Sequence, residues 1–468
     1  MVIIIILTCI SIPFLIDNVN LNYYNTKNIL NPNTKITTKN QFDVLYKASN
    51  VINITSNNDL VTRAKNNGWI GSGTQNNPII IQHLLFNGTE FLNGSIVPDL
   101  IISNVTLYYV IQNNNFTDTS GIFLNNTSNG KINDNIFQNL NYPGTFINIW
   151  SSTNIIIQNN KFTLKNREES YVFNIYDSNK ILFKENLMDG IWVNNQLSYS
   201  NCVGKVQTSN ETNFFNNSIR NCQLLFGGII NANFTNNFFM NSPIFNSYCS
   251  TILSYNIIEN SYTFPALIIK FDISDIIGQR AFNMNNVILT YGITIDHNLF
   301  NNNSIGIKFY SNTLHSSDAT VKQNEFINNT AYAIYISNYN YNNSIYRNDF
   351  ISNNESVNND PSSSYQVTHQ VYESEIQNMT NNWSYNGVGN YWSDYNYKGN
   401  TVPMHILQND TDAFPQLQLF SNSYSYQISK SNSVPTHTTS FGSLLFIVIG
   451  SIAVTIVYRF NKSKRKKN

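Results

Sequence analysis

The sequence predicts an all-β fold, a right-handed parallel β-helix of roughly a dozen rungs, followed by a C-terminal transmembrane helix. Three observations lead to this prediction. An Asn-x-apolar triplet recurs along the chain, short β-branched runs are broken by turn residues, and one uncharged apolar segment lies near the C-terminus. Self-similarity at a period of a few tens of residues is typical of stacked repeats.

The triplet occurs ten times, with successive intervals of 21, 25, 26, 27, 24, 19, 42, 26 and 24 residues. The first residues of the triplets are Asn114, Asn135, Asn160, Asn186, Asn213, Asn237, Asn256, Asn298, Asn324 and Asn348. Because 42 is close to twice 21, we expect a degenerate copy within that interval. A period near 23 residues accommodates three short strands and three turns, which is one rung of a β-helix.

Each position of the triplet has an expected direction, because side chains of a strand alternate between two faces. The Asn and the apolar residue, usually Phe, should point inward, where Phe stacks on the Phe of the next rung. The middle position, which holds Lys161, Glu325 and Asp349, should face water. Asn also tolerates the left-handed conformation of a sharp bend and can hydrogen-bond in a ladder, so we expect both at the corner.

Two other repeat or strand architectures fit the sequence less well. The Leu-x-x-Leu-x-Leu frame of leucine-rich repeats is absent, and a membrane barrel would alternate without a fixed Asn-x-Phe register. We assign the β-helix to 59–420, with an aromatic C-terminal cap at 382–395. Segments 262–286 and 353–378 interrupt the register and are expected to be insertions.

The two ends of the chain indicate export and anchoring. Residues 1–16 resemble the apolar part of a signal peptide, with an uncleaved N-terminal anchor as the alternative. Residues 17–58 are a polar spacer, 421–440 a Ser/Thr-rich stalk and 441–458 a candidate membrane span. The basic tail 459–468 predicts a cytoplasmic C-terminus, with the body of the chain outside the cell.

The charge distribution argues against a nucleic-acid partner. Six of the 27 basic residues follow Tyr458, which leaves 21 basic residues against 27 acidic ones in the rest of the chain, a net charge of −6. A nucleic-acid-binding protein should present a basic face. The expected partners are therefore the membrane and a polysaccharide or surface glycan, and the sequence does not determine the oligomeric state.

Asparagine accounts for 85 of the 468 residues, and many of them form Asn-x-Ser/Thr acceptors for N-glycosylation. The candidates outside the predicted span are Asn53, Asn87, Asn93, Asn104, Asn115, Asn125, Asn126, Asn210, Asn216, Asn233, Asn302, Asn328, Asn342, Asn354, Asn378, Asn382 and Asn409. Asn115 occupies an outward middle position and is a good candidate.

Cysteine usage leaves two states open. Cys202, Cys222 and Cys249 are about one rung apart, so either a disulfide between adjacent rungs or buried thiols would fit.

Motifs at both ends of the repeat region resemble one family. The closing segment contains Asn382-Trp383-Ser384 and Gly389-Asn390-Tyr391-Trp392-Ser393-Asp394-Tyr395, and the opening contains Gly71-Ser72-Gly73-Thr74 and Asn77-Pro78-Ile79-Ile80-Ile81. They are similar to the closing motif and N-terminal cap of NosD-like β-helix proteins, a periplasmic copper-binding and carbohydrate-binding or sugar-hydrolase group. The Asp-rich loop that follows Trp-Ser-Asp-Tyr in many members is absent, which argues against a calcium site there.

Four residues are candidates for catalysis, namely Glu325, Asp349, Asp296 and His297, because stacked carboxylates on one face are what polysaccharide hydrolysis or lysis requires. The polar character of outward positions explains the same residues without catalysis. We expect a glycosylated, membrane-anchored surface module that binds or displays, without cofactor or metal. A surface polysaccharide lyase or glycoside hydrolase is the alternative. A metal-handling protein is a second alternative, for which Met404-His405 is the one close pair of copper-type ligands.

Overall fold

The fold is described from a computed structural model of the chain. The structure describes residues 47–420, apart from 49, 89, 93–94, 139–143, 165–169, 191–201, 248, 271–291, 311–314, 317, 338–339, 355–365, 375–379, 397–402 and 407–409.

Three long parallel sheets, which we name A, B and C, contain most of the described strands. Along the chain, each rung contributes a strand to sheet B, then one to sheet C and then one to sheet A. Sheet A has 13 strands: Lys47–Ala48, Leu84–Asn87, Asn115–Thr117, Ile136–Gln138, Lys161–Thr163, Leu187–Asp189, Ser218–Arg220, Phe238–Met240, Ile257–Glu259, Leu299–Asn301, Glu325–Ile327, Asp349–Ile351 and Tyr391–Trp392. Sheet B has 12 strands: Ile52–Ile54, Leu100–Ser103, Ile122–Asn125, Thr145–Trp150, Ser170–Tyr176, Cys202–Gln207, Gln223–Gly227, Ile244–Ser247, Leu267–Lys270, Ile305–Tyr310, Tyr332–Ile336 and Val371–Glu373. Sheet C has 11 strands: Ile79–Gln82, Tyr109–Gln112, Gly130–Asn133, Thr153–Gln158, Asn179–Lys184, Asn210–Phe215, Ala232–Thr235, Thr251–Ser254, Ile293–Asp296, Thr320–Lys322 and Ser344–Tyr346.

Three small sheets complete the set of described strands. Glu90–Leu92 pairs antiparallel with Ser95–Val97, and His315–Ser316 pairs parallel with Asn340–Tyr341. Met404–Ile406 pairs with Gln366–Thr368 and with Thr411–Asp412. Successive strands of one sheet come from successive turns of the chain, so the predicted parallel β-helix is confirmed.

The core forms because inward positions of all three sheets are apolar. In sheet A, Phe116 and Phe137 are register partners, and their rings stack with centroids 4.7 Å apart. The same column continues through Phe162, Met188, Ile219, Phe239 and Ile258 to Phe300, Phe326 and Phe350. The aromatic residue of the triplet is therefore a core residue, as predicted.

The Asn of the triplet forms the predicted ladder. The main-chain N–H and the side-chain amide of Asn114 both donate to Oδ1 of Asn135, each at a distance of 3.0 Å. The same pair of bonds links the members Asn114, Asn135, Asn160, Asn186, Asn217, Asn237, Asn256, Asn298, Asn324, Asn348 and Asn390. Every amide points in one direction along the sheet.

Three details of the predicted repeat were wrong. The fifth ladder position is Asn217, not Asn213, which lies within the sheet C strand Asn210–Phe215. The 42-residue interval hides no degenerate copy, because Ile257 and Leu299 are direct register partners. The additional residues come between the strands Leu267–Lys270 and Ile293–Asp296, and Leu267–Lys270, within the expected insertion 262–286, is itself a strand of sheet B. The ladder residues also do not adopt the left-handed conformation. The preceding residue does so in ten of eleven cases, for example Asn113 at φ 53°.

The N-terminal end of the described solenoid differs from the predicted boundary at 59. The strands Lys47–Ala48 and Ile52–Ile54 already belong to sheets A and B, within the segment expected to be a spacer. They are followed by a helix, Asn57–Asn67, whose buried Leu60 and Ala64 cover the first rung. Ser56 caps this helix by accepting from the main-chain N–H of Asp59 at 3.2 Å.

The C-terminal end is covered by tryptophan. The ring of Trp392 stacks on that of Phe350 with centroids 4.3 Å apart, so Trp392 occupies the next place in the phenylalanine column. Trp383 packs beside it at 5.9 Å, and both side chains are 1% exposed.

Cysteine pairing follows the rung spacing. Cys202 begins one strand of sheet B, and Cys222 immediately precedes the next strand of that sheet. The two form a disulfide, whereas Cys249 is a buried free thiol. Both states that the sequence left open therefore occur: the disulfide between adjacent rungs for one pair, and the buried thiol for Cys249.

Within the described part of the chain, no helix combines the length and apolar character that a membrane crossing needs. The predicted signal segment 1–16, most of the spacer, the stalk, the span 441–458 and the basic tail lie outside the described residues.

Candidate functional site

The predicted catalytic residues are not brought together on one face. Glu325 and Asp349 are register partners in sheet A, as predicted. Asp296 ends a strand of sheet C, where its partner is Lys322, and His297 follows at the turn. The four residues therefore lie on different sheets and do not form a single acidic stripe.

Asp349 departs from the prediction in a second way. Its side chain is 0% exposed, although its middle position was expected to face water. The reason is that the chain returns over sheet A at its end, where the main-chain N–H of Phe420 donates to Asp349 Oδ1 at 2.8 Å. Asp349 has the bonding of a structural carboxylate.

Possible copper ligands also do not converge in the described region. Asp296 and His297 form one close pair, with Nδ1 and Oδ2 3.3 Å apart, and the ring of Tyr255 stacks on His297. Met404 is fully buried, and its neighbour His405 points to the other side of the same strand. Among the described residues, no group of three or more His, Cys, Asp or Glu side chains has a metal-binding arrangement.

Buried carboxylates instead gather at the C-terminal end, and sequence reasoning missed them. The side chains of Glu373 and Asp412 are 3% and 0% exposed. Burial raises the pKa of Glu373, with the nearby Asp410 as the second cause, and burial raises the pKa of Asp412 to about 6. Burial likewise raises the pKa of Asp394.

These carboxylates terminate three amide ladders. Asn390 ends the long ladder on Asp412. A second ladder passes through Asn303, Asn329, Asn353 and Gln370, and the side-chain amide of Gln370 donates to Asp394 Oδ1 at 2.8 Å. A third runs from Asn343 to Asn381, whose two N–H groups donate to Asp410 and Glu373. A carboxylate only accepts, so it closes a ladder of donors without leaving an amide unsatisfied.

The outward face of sheet B has the strongest features of a binding surface. Trp150 and Tyr176 are register partners on adjacent rungs and are 43% and 46% exposed. Phe123 supports the indole edge-on, with centroids 5.3 Å apart. Asn148 accepts from the indole N–H of Trp150 at 3.1 Å, and from the amide of Asn174 at the same distance.

The sequon residues differ in their exposure. Asn53, Asn87, Asn104, Asn126, Asn328, Asn342 and Asn382 are exposed, whereas Asn93, Asn378 and Asn409 lie outside the residues whose side chains are described. Asn216 is 6% exposed. Asn115 is half-buried, and its Oδ1 accepts from Thr117 Oγ1 at 2.8 Å, so this acceptor is less open than the sequence indicated.

The fold defines a parallel β-helix protein whose repeat and cap are built from asparagine and aromatic residues. Residues 276–397 match the family model described as "Periplasmic copper-binding protein (NosD)". The resemblance predicted from the closing motif is therefore confirmed over that segment. No curated protein matches the chain significantly.

The description of that family includes copper binding. The described residues of this chain do not form a set of ligands suited to copper. The histidines available in and near the matched segment, His297, His315, His369 and His405, are on separate elements. Copper sites need convergent His, Cys or Met ligands. We therefore derive no chemistry through a metal.

Proposed function

We propose that this protein is a membrane-anchored cell-surface β-helix that contacts glycans through the outward face of sheet B. The observation that carries the proposal is the pair of exposed rings, Trp150 and Tyr176, on adjacent rungs. The NosD resemblance supports placing the body outside the cytoplasm. We take the coil as right-handed, because parallel strand crossovers have that hand in nearly all proteins.

The two rings and their surroundings suit a sugar. Trp and Tyr present a rigid apolar face together with a polar edge, which matches the apolar and hydroxyl-bearing sides of a sugar ring. Asn148 and Asn174 lie in the neighbouring outward column and supply amide groups of the kind that bind hydroxyls. A ring that served the core alone would be buried, as the phenylalanines of sheet A are.

Anchoring and glycosylation complete the proposal. The 18-residue uncharged segment 441–458 is long enough to span a bilayer, and the basic residues after it favour a cytoplasmic tail. Exposed acceptors such as Asn328 and Asn342 would then lie on the side where glycans are added.

A glycan-array experiment tests the proposal. The full chain, purified in a mild detergent, is compared with Trp150→Ala and Tyr176→Ala. Tyr262→Ala is the matched control, because Tyr262 is 56% exposed but lies outside the strands of sheet B, in the turn after the sheet A strand Ile257–Glu259. For the glycans that the wild type binds, we expect the affinity of the two sheet B variants to be about 10- to 100-fold lower, which is the usual cost of removing a central aromatic side chain from an interface. The control should bind like the wild type. Unchanged binding by Trp150→Ala, or no retained glycan at all, would overturn the proposal.

A further inference from the structure

We propose that the face of sheet B binds anionic glycans, with Lys308 and its tyrosine neighbours as the subsite for the acidic group. The inference rests on the proposed function, because it names the ligand class of the same face. It starts from the charges on that face. The strands of sheet B contain three lysines, Lys205, Lys270 and Lys308, and one acid, Glu373, which is buried.

The other two long sheets differ in this respect. Strands of sheet A contain Asp189, Glu259 and Glu325 in half-buried positions. Strands of sheet C contain four lysines, Lys131, Lys180, Lys184 and Lys322, but they also contain the acids Glu211 and Asp296. Among the three long sheets, sheet B is therefore the one whose described outward positions include lysines and no acidic residue. The chain outside the basic tail has a net charge of −6. A basic face on an otherwise acidic body concentrates anions locally.

The tyrosine–lysine strip, which we define as Lys308, Tyr310, Tyr335 and Tyr372, lies near the C-terminal end of this face. Lys308, Tyr335 and Tyr372 are successive register partners. The Lys308 ammonium lies 5.5 Å from the ring centroid of Tyr310 and 5.2 Å from that of Tyr335. The rings of Tyr335 and Tyr372 stack with centroids 4.8 Å apart.

This packing fixes the ammonium without neutralising it. Cation–π contacts orient Lys308 between two rings, but they supply no carboxylate. Among the described residues, none places a carboxylate within ion-pair distance of Lys308. A second ammonium, that of Lys270, lies 5.8 Å from the ring of Tyr310, so two cations share one ring.

The tyrosine hydroxyls extend the subsite along the sheet. Burial and the neighbouring tyrosines Tyr372 and Tyr332 raise the pKa of Tyr335, so its phenol remains a hydrogen-bond donor at neutral pH. Because the rings stack on each other, their faces are occupied and their edges face outward. The strip therefore offers O–H and N–H donors rather than a stacking platform.

The spacing of these groups favours a linear polymer. Neighbouring strands of a sheet lie about 4.8 Å apart, which is close to the length of one sugar ring in an extended chain. A chain lying across the sheet would meet Tyr176 and Lys205 on adjacent strands and, after the two strands Gln223–Gly227 and Ile244–Ser247, Lys270 and Lys308 on adjacent strands. Acidic sugars repeat their charge along such a chain, which matches lysines on several strands.

The test measures binding of the full chain in mild detergent to polygalacturonate, dextran sulfate, a neutral dextran and single-stranded DNA of similar charge. Lys308→Gln removes the charge at similar length, and Lys308→Arg retains it. Lys322→Gln is the matched control, since Lys322 is half-buried and outward on sheet C in the same rung as Lys308. We expect Lys308→Gln to weaken binding of the acidic glycan about ten-fold, with Lys308→Arg and Lys322→Gln close to the wild type.

The outcomes separate this inference from the proposed function. Binding of polygalacturonate or of dextran sulfate supports it and identifies the acidic group as carboxylate or sulfate. Wild-type affinity in Lys308→Gln, binding of neutral dextran as tight as that of the acidic chains, or equal binding of DNA would overturn it. If Trp150→Ala abolishes glycan binding while Lys308→Gln does not, the proposed function stands and the anionic subsite fails.

Discussion

The carboxylate of Asp412 closes the asparagine ladder at Asn390. The main-chain N–H of Asn390 donates to Asp412 Oδ2 at 2.7 Å, and the indole of Trp392 donates to the same oxygen at 3.0 Å. The other oxygen accepts from the main-chain N–H of Phe414 at 3.0 Å. A Cβ on Gly389 would lie 1.9 Å from Asp412 Oδ1, so this close approach requires glycine there.

Replacing Asp412 should loosen the C-terminal rung. Asp412→Asn introduces an amide where three donors converge, and we expect it to reduce the free energy of unfolding by about 2–3 kcal/mol. Asp177→Asn is the control, because Asp177 is exposed and its left-handed φ of 50° suits Asn. Urea unfolding and limited proteolysis measure the effect. Equal stability of the two variants would contradict the role of Asp412.

The C-terminal rung should be more stable at mildly acidic pH than at alkaline pH. Burial raises the pKa of Glu373 above its ordinary value of 4.5, so the folded protein holds a proton that the unfolded chain releases. The stabilisation is present below about pH 4.5 and is lost as the pH rises through the elevated pKa. The direction for Asp412, whose pKa is raised to about 6, is the same.

Thermal unfolding at pH 5 and pH 8 checks this expectation. The melting temperature of the wild type should be lower at pH 8 than at pH 5. The decrease should be smaller in Glu373→Gln, because the side chain at position 373 then no longer titrates. Glu211→Gln, a half-buried residue on sheet C, should retain the wild-type pH dependence. A wild-type melting temperature that rises with pH would show that the sign is wrong.

A ladder residue in the middle of the solenoid should matter more than its outward neighbours. Asn298 accepts two bonds from Asn256 and donates to Asn324, all buried. Asn298→Ala leaves those groups unsatisfied, and we expect a loss of about 3 kcal/mol in unfolding free energy. Thr294→Ala, half-buried and outward on the same rung, should change it by about 0.5 kcal/mol or less. Similar losses in both variants would argue against the ladder as a stabilising element.

The disulfide should stabilise the middle of the solenoid, whereas the remaining described thiol should be inert. Cys202→Ser with Cys222→Ser should lower stability by about 2–4 kcal/mol. Cys249 is buried and its pKa is raised to about 12 by burial, so it should resist alkylation until the chain unfolds. Mass spectrometry of the native protein after alkylation measures this directly. Rapid modification of Cys249 would mean that this rung opens readily.

Removal of the apolar C-terminal segment tests anchoring. A chain ending at residue 440 should appear in the medium or the soluble fraction, whereas the full chain should sediment with membranes and require detergent. A protease added outside intact cells should digest the body of the full chain. Sedimentation of both forms to the same extent would remove the proposed anchor at 441–458.

Several local features could be predicted from the sequence because a period-two pattern determines which side chains share a face. Phe116, Phe137 and Phe162 were assigned to one inward column, and they form one. The register of Asn213 could not be resolved, because Asn217, which has Ile219 two positions later, fits the Asn-x-apolar pattern as well as Asn213 does. Only pairing with the neighbouring rung selects Asn217.

The candidate site was harder to predict than the core. Trp150 and Tyr176 are 26 residues apart, and no triplet marks them. Their proximity follows from the length of one rung, which varies along the chain. The carboxylates at the C-terminal end were missed because Glu373, Asp410 and Asp412 lie in segments without the repeat, where no register can be assigned from sequence.

By itself, the sequence determined the parallel β-helix, its phenylalanine and asparagine columns and the charge split between body and tail, since all of these follow from periodicity and composition. The tertiary structure decided which asparagine joins the ladder, which cysteines pair, that Asp349 is buried and that three ladders end on carboxylates. These outcomes depend on the number of residues inserted between rungs, and only the folded chain shows which side chains those insertions bring into contact.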